Sequence, residues 1–435
     1  MKRLLTTAIL AISLVFVSCG GKDNPAPKPS GPQVVPVTGI TFDKTSISLG
    51  VTETFTIEAT VHPSNATDKN VLWWWDVSKL RRDNNGVFTV LGSGKTEVFA
   101  TVMGRDEKMA TCEVEGIGPD VYFVTADRLY KNGFEQSAYK GSVMQVCVSS
   151  EEIYATANMF LGASDLVIGY GHWKNGIPQF YYQGNQGWFP WFNAIAVSGN
   201  DVYAGGYQIL EVYGNFAIAP RLYKNGVEQP LDTYEGGEAY EINPDVSLGD
   251  VNSLAVLNGD VYATGRTWSE KGGKRYYGNV MWKNGKVVLA VDGELFSVFA
   301  ANGNIYVVGY VCDPRPQATL WVNNVPQRLS VPAGTEVFGS KALGVFVSGS
   351  DVYVHGYYAD GYKSVDTLWK NNVRQDFPAG VLVETIFVHG KDVYVGGGSE
   401  MDSNHSTLPT LWKNGEVIYR FDDWRGQVIR SIGVK

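Results

Sequence analysis

Apolar and polar residues alternate along most of this 435-residue chain from residue 36 onward. In the stretch TFTIEATV, for example, Phe55, Ile57, Ala59 and Val61 fall on one face of an extended segment. A period of two is typical of half-buried antiparallel strands. The pattern therefore predicts an all-β protein.

Two short phrases recur seven times between Asp120 and the C-terminus. One is DVY or a close variant and the other is LWKNG or a close variant. The first begins at residues 120, 152, 201, 260, 304, 351 and 392, and the second at 129, 172, 222, 281, 320, 368 and 411. Their usual spacing, about 40 to 60 residues, falls in or near the range of four-stranded propeller blades. Residues 117–435 are therefore predicted to form a seven-bladed β-propeller.

The Asn-Gly pair in LWKNG predicts a tight hairpin turn, because both central residues of a type I′ turn need positive φ. A blade is then strand a, turn, strand b beginning at DVY, variable loop, strand c, the KNG turn and strand d. Lysine precedes the turn in six copies, where it is interpreted as solvated charge protecting sheet edges, with a basic ring as the alternative. These lysines are Lys131, Lys174, Lys224, Lys283, Lys370 and Lys413.

The two ends of the repeat array complement each other. The first copy lacks a preceding strand a, while residues 428–435, VIRSIGVK, match strand a and have no strand b after them. We expect residues 428–435 to pair beside residues 121–125 and close the ring without an open sheet edge.

The connections between strands b and c and between d and a should share one face of the propeller, and they vary most in length. Long segments are expected there at 155–171, 204–221, 231–250 and 263–280, with an aromatic cluster at 181–192. Several rings must act together to hold a sugar or an extended peptide, because one aromatic contact contributes only about 1.5–3 kcal/mol. The expected ligand-binding residues are Trp188, Trp191, Trp268 and Tyr357; packing between blades is the alternative role for such rings.

The N-terminus has the features of an export signal. Lys2 and Arg3 precede an apolar run at residues 4–17, and FVSCGG follows. This arrangement resembles the signal of bacterial lipoproteins. The resemblance implies a signal peptide at 1–18, an acylated Cys19 and a Pro-rich flexible tether at 19–35. It also implies an outer membrane lipoprotein, exposed at the cell surface if Lys22-Asp23 acts as an export signal, with the periplasmic face as the alternative.

Residues 36–116 resemble the second group of bacterial Ig-like domains. The resemblance rests on VTGITFDKTSISLG, ATVHPSNATDKNVLW, GVFTVLGSGKTEVFATV and ATCEVE. It implies a β-sandwich, often a spacer or adhesive module. Within it the strand LWWWD predicts Trp73 and Trp75 on the inner face and Trp74 outside. The array at 117–435 is similar to the VYVAG…LWKNG repeats of exported bacterial proteins, which imply a propeller but no functional residues.

Composition narrows the range of functions. A net charge of −8 argues against a nucleic-acid surface. Cys112 and Cys147 are expected to be buried, Cys312 is expected in a loop, and the spacing predicts no disulfide. No motif for a nucleophile, a phosphate loop or a metal is present, so no metal, cofactor or catalytic residue is predicted.

Two functions are compatible with this sequence. The favoured one is a monomeric, non-enzymatic, surface-anchored module that binds a polysaccharide or an extracellular protein and meets the membrane through its lipid alone. The alternative is a propeller-type glycoside hydrolase or lyase whose acid and base residues come from several blades. Convergence of His, Tyr, Arg or carboxylate groups at the mouth of the axial channel would distinguish the two.

Overall fold

The computed structural model is all-β in the part of the chain that it describes. The described residues are 33–103, 108–139, 141–161, 167–184, 190–212, 215–234, 239–241, 249–272, 274–332, 337–360, 363–375, 381–401, 406–422 and 426–435. Within these ranges no helix is present and therefore none could cross a membrane. Cys19, the expected signal peptide and most of the tether lie outside the described residues, as does Trp188.

The described residues of the segment 36–117 form nine short strands. These are β1 (Gly39–Phe42), β2 (Ser46–Gly50), β3 (Thr54–Phe55), β4 (Ala59–His62), β5 (Val71–Trp75), β6 (Leu80–Arg82), β7 (Phe88–Val90), β8 (Gly94–Val102) and β9 (Met109–Ile117). The chain divides into two compact units, and this segment contributes to both. The first unit comprises the described residues up to Thr45, Ile57–Trp74 and those of Val98–Cys112, and the second comprises the remainder.

The first unit has its own small core. Strand β1 pairs antiparallel with β4, with Ile40 opposite Val61. Ile40 and Val61 are buried, and Phe42 stacks on Trp73 with ring centroids 5.2 Å apart. Trp74 next to it is 47% exposed, as the alternation of side chains along a strand predicts.

The second unit begins with the remaining strands of residues 46–117 and continues through all the repeats. Strand β2 pairs parallel with residues 113–117 of β9, while β7 pairs with both β3 and β6. The fully buried Phe88 lies 5.2 Å from the ring of Phe55 and 5.6 Å from that of Trp75. Trp75 therefore packs inside, as predicted.

The described residues of the repeats form seven antiparallel sheets. Five of these have four consecutive strands, the fourth has a fifth strand added at its edge, and the first takes one of its four strands from the C-terminus. The first to third sheets contain β10 (Val121–Thr125), β11 (Arg128–Lys131), β12 (Phe134–Glu135), β13 (Val146–Ser149), β14 (Glu152–Leu161), β15 (Val167–Lys174), β16 (Ile177–Gly184), β17 (Pro190–Ser198), β18 (Asp201–Val212), β19 (Asn215–Lys224) and β20 (Val227–Gln229). The fourth and fifth contain β21 (Ala239–Glu241), an added edge strand, then β22 (Asp250–Leu257), β23 (Asp260–Lys271), β24 (Lys274–Lys283), β25 (Lys286–Val291), β26 (Gly293–Ala301), β27 (Asn304–Cys312), β28 (Pro316–Val322) and β29 (Val325–Arg328). The sixth and seventh contain β30 (Val337–Ser348), β31 (Asp351–Asp360), β32 (Lys363–Lys370), β33 (Val373–Gln375), β34 (Val381–His389), β35 (Asp392–Met401), β36 (Ser406–Lys413) and β37 (Glu416–Arg420), and β38 (Ile429–Val434) completes the first sheet.

The C-terminal strand lies where the sequence predicted. β38 pairs antiparallel with β10, with Val434 opposite Val121 and Ile432 opposite Phe123. This pairing occupies the edge of β10 that would otherwise present unpaired backbone groups. One strand of each sheet also contacts the corresponding strand of the next sheet, and the last of them, β38, contacts the first, β13. We call these seven the innermost strands: β13, β17, β22, β26, β30, β34 and β38.

The KNG phrase forms the predicted turn in every repeat. Asn132 has φ 50° and Gly133 has φ 84°, and Asn-Gly or Asn-Asn pairs in the other six sheets have positive φ as well. Both positions of a type I′ turn require this conformation, which Gly and Asn tolerate best. The repeated phrase therefore has a structural role as the turn between the third and fourth strands.

The repeated lysines have ion-pair partners that the sequence did not predict, although five of the six keep 34–42% of the side chain exposed and only Lys131, at 15%, is largely buried. Each forms an ion pair of 2.7 or 2.8 Å with an acidic residue of its own sheet, which begins the second strand in five sheets and directly precedes it, as Asp120, in the first. In these six sheets the side-chain oxygen of the turn asparagine accepts a hydrogen bond from the backbone N–H that follows the acidic residue. The fifth sheet keeps the asparagine hydrogen bond, from the N–H of Ile305 to Asn323, but has neither the lysine nor the acidic residue. We call this arrangement the Asp–Lys–Asn lock.

Three of the four long segments expected to be loops are largely strand. Residues 204–212 and 215–221 continue β18 and β19, with Val212 still paired to Asn215. Residues 263–271 and 274–280 likewise extend β23 and β24, and residues 155–161 and 167–171 extend β14 and β15. The repeats therefore differ in the length of the hairpin formed by the second and third strands of each sheet. Antiparallel pairing can extend such a hairpin without a change of register.

Candidate functional site

A cavity of about 590 Å³ lies among the innermost strands of the seven sheets. We call it the inner cavity. Residues from all seven innermost strands line it, including Val146, Ile195, Leu254 and Ile432. Its size is within the usual range for small-molecule sites, roughly 300–1,000 Å³.

A β-bulge recurs in the innermost strand of six of the seven sheets. The register shifts at one extra residue near the start of each strand. A bulge leaves that residue unpaired and redirects its side chain. The six residues are Asn193, Asn252, Phe296, Leu343, Glu384 and Arg430, and Met144 is their counterpart in the second sheet.

Glycine in the neighbouring strand makes room for the bulge in five sheets. A Cβ at Gly206 would lie 1.7 Å from the Trp191 carbonyl oxygen, and one at Gly397 would lie 1.8 Å from that of Leu382. A Cβ at Gly265, Gly309 or Gly356 would likewise lie 1.9–2.0 Å from a backbone carbonyl oxygen of the innermost strand beside the bulge. The glycine that ends the phrase DVYxxG is thus needed for the geometry of the cavity wall.

The bulge residues line the inner cavity with mixed chemistry. Asn193 and Asn252 contribute amides on the third and fourth sheets, and Phe296 and Leu343 contribute apolar groups on the fifth and sixth. Glu384 and Arg430 contribute opposite charges on the seventh and first sheets. The cavity can therefore offer hydrogen bonds, charge and apolar contact to one ligand.

The charged residues form one connected group across the sixth, seventh and first sheets. The Arg430 guanidinium lies 3.0 Å from the Asp127 carboxylate. Burial raises the pKa of Glu384, and the nearby charge of Arg430 opposes this shift. Asp366 accepts a 3.4 Å hydrogen bond from the backbone N–H of Val383. Burial, reinforced by the charge of Glu384, raises the pKa of Asp366 to about 6.

His355 also lines the inner cavity, although it belongs to the second strand of its sheet. A Cβ at Gly344 would lie 2.1 Å from its Nε2, so glycine there admits the imidazole. The side chain is buried, and its Nδ1 has no hydrogen-bond partner among the residues that the structure describes. Burial lowers the pKa of His355 to about 4, against the opposing effect of a hydrogen bond with the Val383 backbone. The ring is therefore neutral at pH 7.

Further along the innermost strands the lining becomes apolar and asymmetric. Phe299, Phe346 and Phe387 from the fifth to seventh sheets pack in a row, with successive ring centroids 4.7 Å apart. The equivalent positions on other sheets carry small residues such as Ala196 and Ala255. The wall formed by the fifth to seventh sheets is thus aromatic, and the same cavity is also lined by the polar bulge residues.

The aromatic residues predicted from sequence lie on different sheets. Trp191 is half-buried in β17 against Tyr170, with ring centroids 6.2 Å apart. The Trp268 indole donates a 2.8 Å hydrogen bond to the Ile218 carbonyl of the adjacent sheet. Tyr357 is half-buried opposite Asp366. Their role in binding stays a prediction.

The cysteines and histidines show no metal-binding arrangement among the described residues. Cys112 is buried, Cys147 lines the inner cavity and Cys312 is exposed, and these three cysteines form no disulfide with one another. Burial raises the pKa of Cys147 to about 11, so it is a thiol at neutral pH.

Comparison with known proteins identifies one part of the chain. Residues 36–114 match the model of the bacterial Ig-like domain, group 2. This segment is a bacterial Ig-like domain. The match agrees with the resemblance seen in its sequence. It does not extend to the repeats that follow residue 114. No curated protein matches the chain.

Solved structures show only distant likeness. AztD from Citrobacter koseri is 10% identical with a TM-score of 0.26, and the alignment covers 87% of this chain and 95% of that one. A DUF4623 family protein from Bacteroides eggerthii is 11% identical with a TM-score of 0.30, covering 90% and 93%. The GH32 β-fructofuranosidase of Bombyx mori is 11% identical with a TM-score of 0.26, covering 73% and 92%. TM-scores this low support no inference about the chain.

Sequence reasoning missed the polar wall of the inner cavity. Glu384 and Arg430 follow the apolar start of an innermost strand, and each interrupts the alternation at the same place in its repeat. Aligning the seven repeats at DVY would have shown the variable column of bulge residues. No local motif connects His355 and Asp366 to that column.

Proposed function

We propose that this protein is a surface-anchored lipoprotein whose seven sheets form a seven-bladed β-propeller that binds a ligand without chemical change. The inner cavity is the binding site, and the ligand is a glycan or an extracellular protein segment. The observation that carries the proposal is the column of bulge residues, which brings amides, charges and apolar groups to one cavity. The cyclic contacts of the innermost strands and the pairing of β38 with β10 support the propeller.

Trp188, Trp191, Trp268 and Tyr357 belong to this proposal as contacts for the outer part of an extended ligand. Trp191, Trp268 and Tyr357 lie in β17, β23 and β31, and Trp188 is included from its position in the sequence. Aromatic rings provide a flat apolar area against which a sugar or peptide can pack.

The test is retention of the full chain on immobilised polysaccharides and extracellular proteins. Asn193→Ala with Asn252→Ala should abolish retention, because both amides line the cavity. Trp188→Ala with Trp191→Ala should weaken retention and leave the melting temperature nearly unchanged. Lys286→Ala, at an exposed ion pair with Asp232, is the matched control and should bind normally. Retention of both double variants at wild-type strength would reject the cavity as the binding site.

Anchoring is proposed through an acylated Cys19 after export. Cys19→Ala should release the protein from the membrane fraction, because acyl chains provide the hydrophobic attachment. Replacement of Lys22 and Asp23 should change only the face of the outer membrane that the protein occupies. Unchanged fractionation of the Cys19 variant would count against this localisation.

One observation favours the second function, glycoside hydrolysis or elimination. Asp366 has a pKa of about 6 beside Glu384, and Arg430 and His355 line the same wall. A carboxyl group with a raised pKa can act as a general acid, and a neighbouring carboxylate can act as a base or nucleophile. Asp366→Asn and Glu384→Gln should each stop the release of reducing ends or unsaturated products while binding persists. If the wild-type protein binds a polysaccharide and releases no product from it, the enzymatic function is rejected.

A further inference from the structure

One repeat breaks a rule that the other six keep. The residue before the Trp or Tyr of the third strand is Leu or Met everywhere except at His172. Met281, Leu368 and Leu411 are buried in clusters with residues of the following sheet. A departure from a local rule of this kind is expected mainly at functional sites.

A cavity of about 440 Å³ is present where His172 replaces the apolar residue. It lies between the second and third sheets, near their c–d turns, and its lining is separate from that of the inner cavity. The lining includes Tyr154, His172, Gln179, Tyr181, Val202 and Asn225. Its volume is within the range of small-molecule sites, roughly 300–1,000 Å³.

The imidazole of His172 is held by two tyrosines. Its Nδ1 lies 2.7 Å from the Tyr181 hydroxyl, and its ring centroid lies 6.0 Å from that of Tyr154. The side chain is only 6% exposed, and this burial lowers the pKa of His172 to about 4. The ring is therefore neutral at pH 7, with one N–H and one acceptor nitrogen.

The charged group of the lining is already paired. Lys174 lies 2.8 Å from the Glu152 carboxylate, and the Tyr154 hydroxyl donates to the same carboxylate at 2.6 Å. The cavity thus presents amides, a neutral imidazole and tyrosine rings. Such groups suit a neutral ligand rich in hydroxyl groups better than an anion or a cation.

We propose that this cavity is a second binding site, for a neutral sugar of about hexose size. We assign to His172 the tautomer with its proton on Nε2, in which Nδ1 accepts from the Tyr181 hydroxyl and the Nε2–H is available to donate to a sugar oxygen. Gln179 and Asn225 provide further donors and acceptors, and the tyrosine rings provide apolar contact. The site does not depend on the function proposed for the inner cavity.

The test uses a variant that restores the rule of the other repeats. Glucose, galactose, mannose and N-acetylglucosamine are titrated in turn into the full chain at pH 7, with binding followed by calorimetry and by saturation-transfer NMR. At least one sugar should bind. His172→Leu should weaken that binding by about tenfold or more, a change of about 1.4 kcal/mol. The same variant should melt at an equal or higher temperature, because it buries an apolar side chain as the other repeats do.

Two further variants separate the alternatives. Tyr181→Phe keeps the ring and removes the hydroxyl, so it should also weaken sugar binding while the fold persists. Lys286→Ala, at an exposed ion pair with Asp232 that lines neither cavity, is the control and should leave sugar binding unchanged. The proposal is overturned if none of the four sugars binds, or if His172→Leu binds the sugar as tightly as the wild type.

Discussion

The ammonium group of Lys131 lies 2.8 Å from the carboxylate of Asp120, and this pair is the most buried of the Asp–Lys–Asn locks. Their side chains are 15% and 6% exposed, whereas those of Lys370 and Asp351 are 40% and 35% exposed. The backbone N–H of Ser93 also donates to Asp120, and the Asn132 amide donates to the Leu91 carbonyl. Burial alone would raise the pKa of Asp120, but these partners hold it below its usual value.

Lys131→Met should destabilise the protein by about 3 kcal/mol, because it leaves a buried carboxylate without its counter-ion. Lys370→Met is the matched control, since it removes the same interaction from an exposed site and should have a much smaller effect. The measurement is the free energy of unfolding in urea for both variants. Equal losses of unfolding free energy in the two variants would show that burial of the Lys131–Asp120 pair does not increase its contribution to stability.

Deletion of residues 428–435 should abolish cooperative unfolding of the repeats. The deletion exposes the edge of β10 and removes the contacts of β38 with β13 and β34. Thermal unfolding followed by circular dichroism measures the effect. A synthetic peptide of residues 427–435 should restore the transition when added in excess, and a truncated chain that melts like the full one would contradict this role of β38.

Gly397→Ala should destabilise the seventh sheet strongly. The new Cβ would lie 1.8 Å from the Leu382 carbonyl oxygen, so the bulge at Glu384 would have to shift. Overpacking of this kind costs about 1–3 kcal/mol or more. Gly39→Ala, whose Cβ would meet nothing within 4 Å, is the control. Urea unfolding compares the two, and similar stabilities would mean that the bulge does not require glycine.

Stability should fall as the pH is lowered from about 6.5 to about 4. His172 and His355 have pKa values of about 4 in the folded state and an ordinary value of 6.5, so at these two sites the unfolded chain binds more protons in this window. Asp366, with a pKa of about 6 in the folded state, acts in the opposite direction and offsets the contribution of only one of them. Each histidine contributes at most about 3 kcal/mol to the loss. Urea unfolding at several pH values measures the slope.

His172→Leu and His355→Val place at each site a residue that other repeats carry there. Each should flatten the pH dependence of stability between about 4 and 6.5. A double variant with the same slope as the wild type would assign the acid sensitivity to other groups.

The sequence by itself determined the number of repeats, the turns and the strand that completes the first sheet. Each of these depends on local chemistry: Asn132 and Gly133 tolerate positive φ, and VIRSIGVK has the alternation of an innermost strand. The Ig-like domain was also recognisable from its sequence, because its phrases cover nearly all of residues 36–114.

Only the tertiary structure decided which side chains meet. His355, Asp366, Glu384 and Arg430 come from four strands of three sheets, so their separations in the sequence carry no sign of their proximity. The repeated lysines, most of them partly exposed, are also paired across a hairpin, and most of the residues expected in long loops are in extended strands. Pairing and burial are set by neighbours distant in sequence, whereas turns are set by the residues that form them.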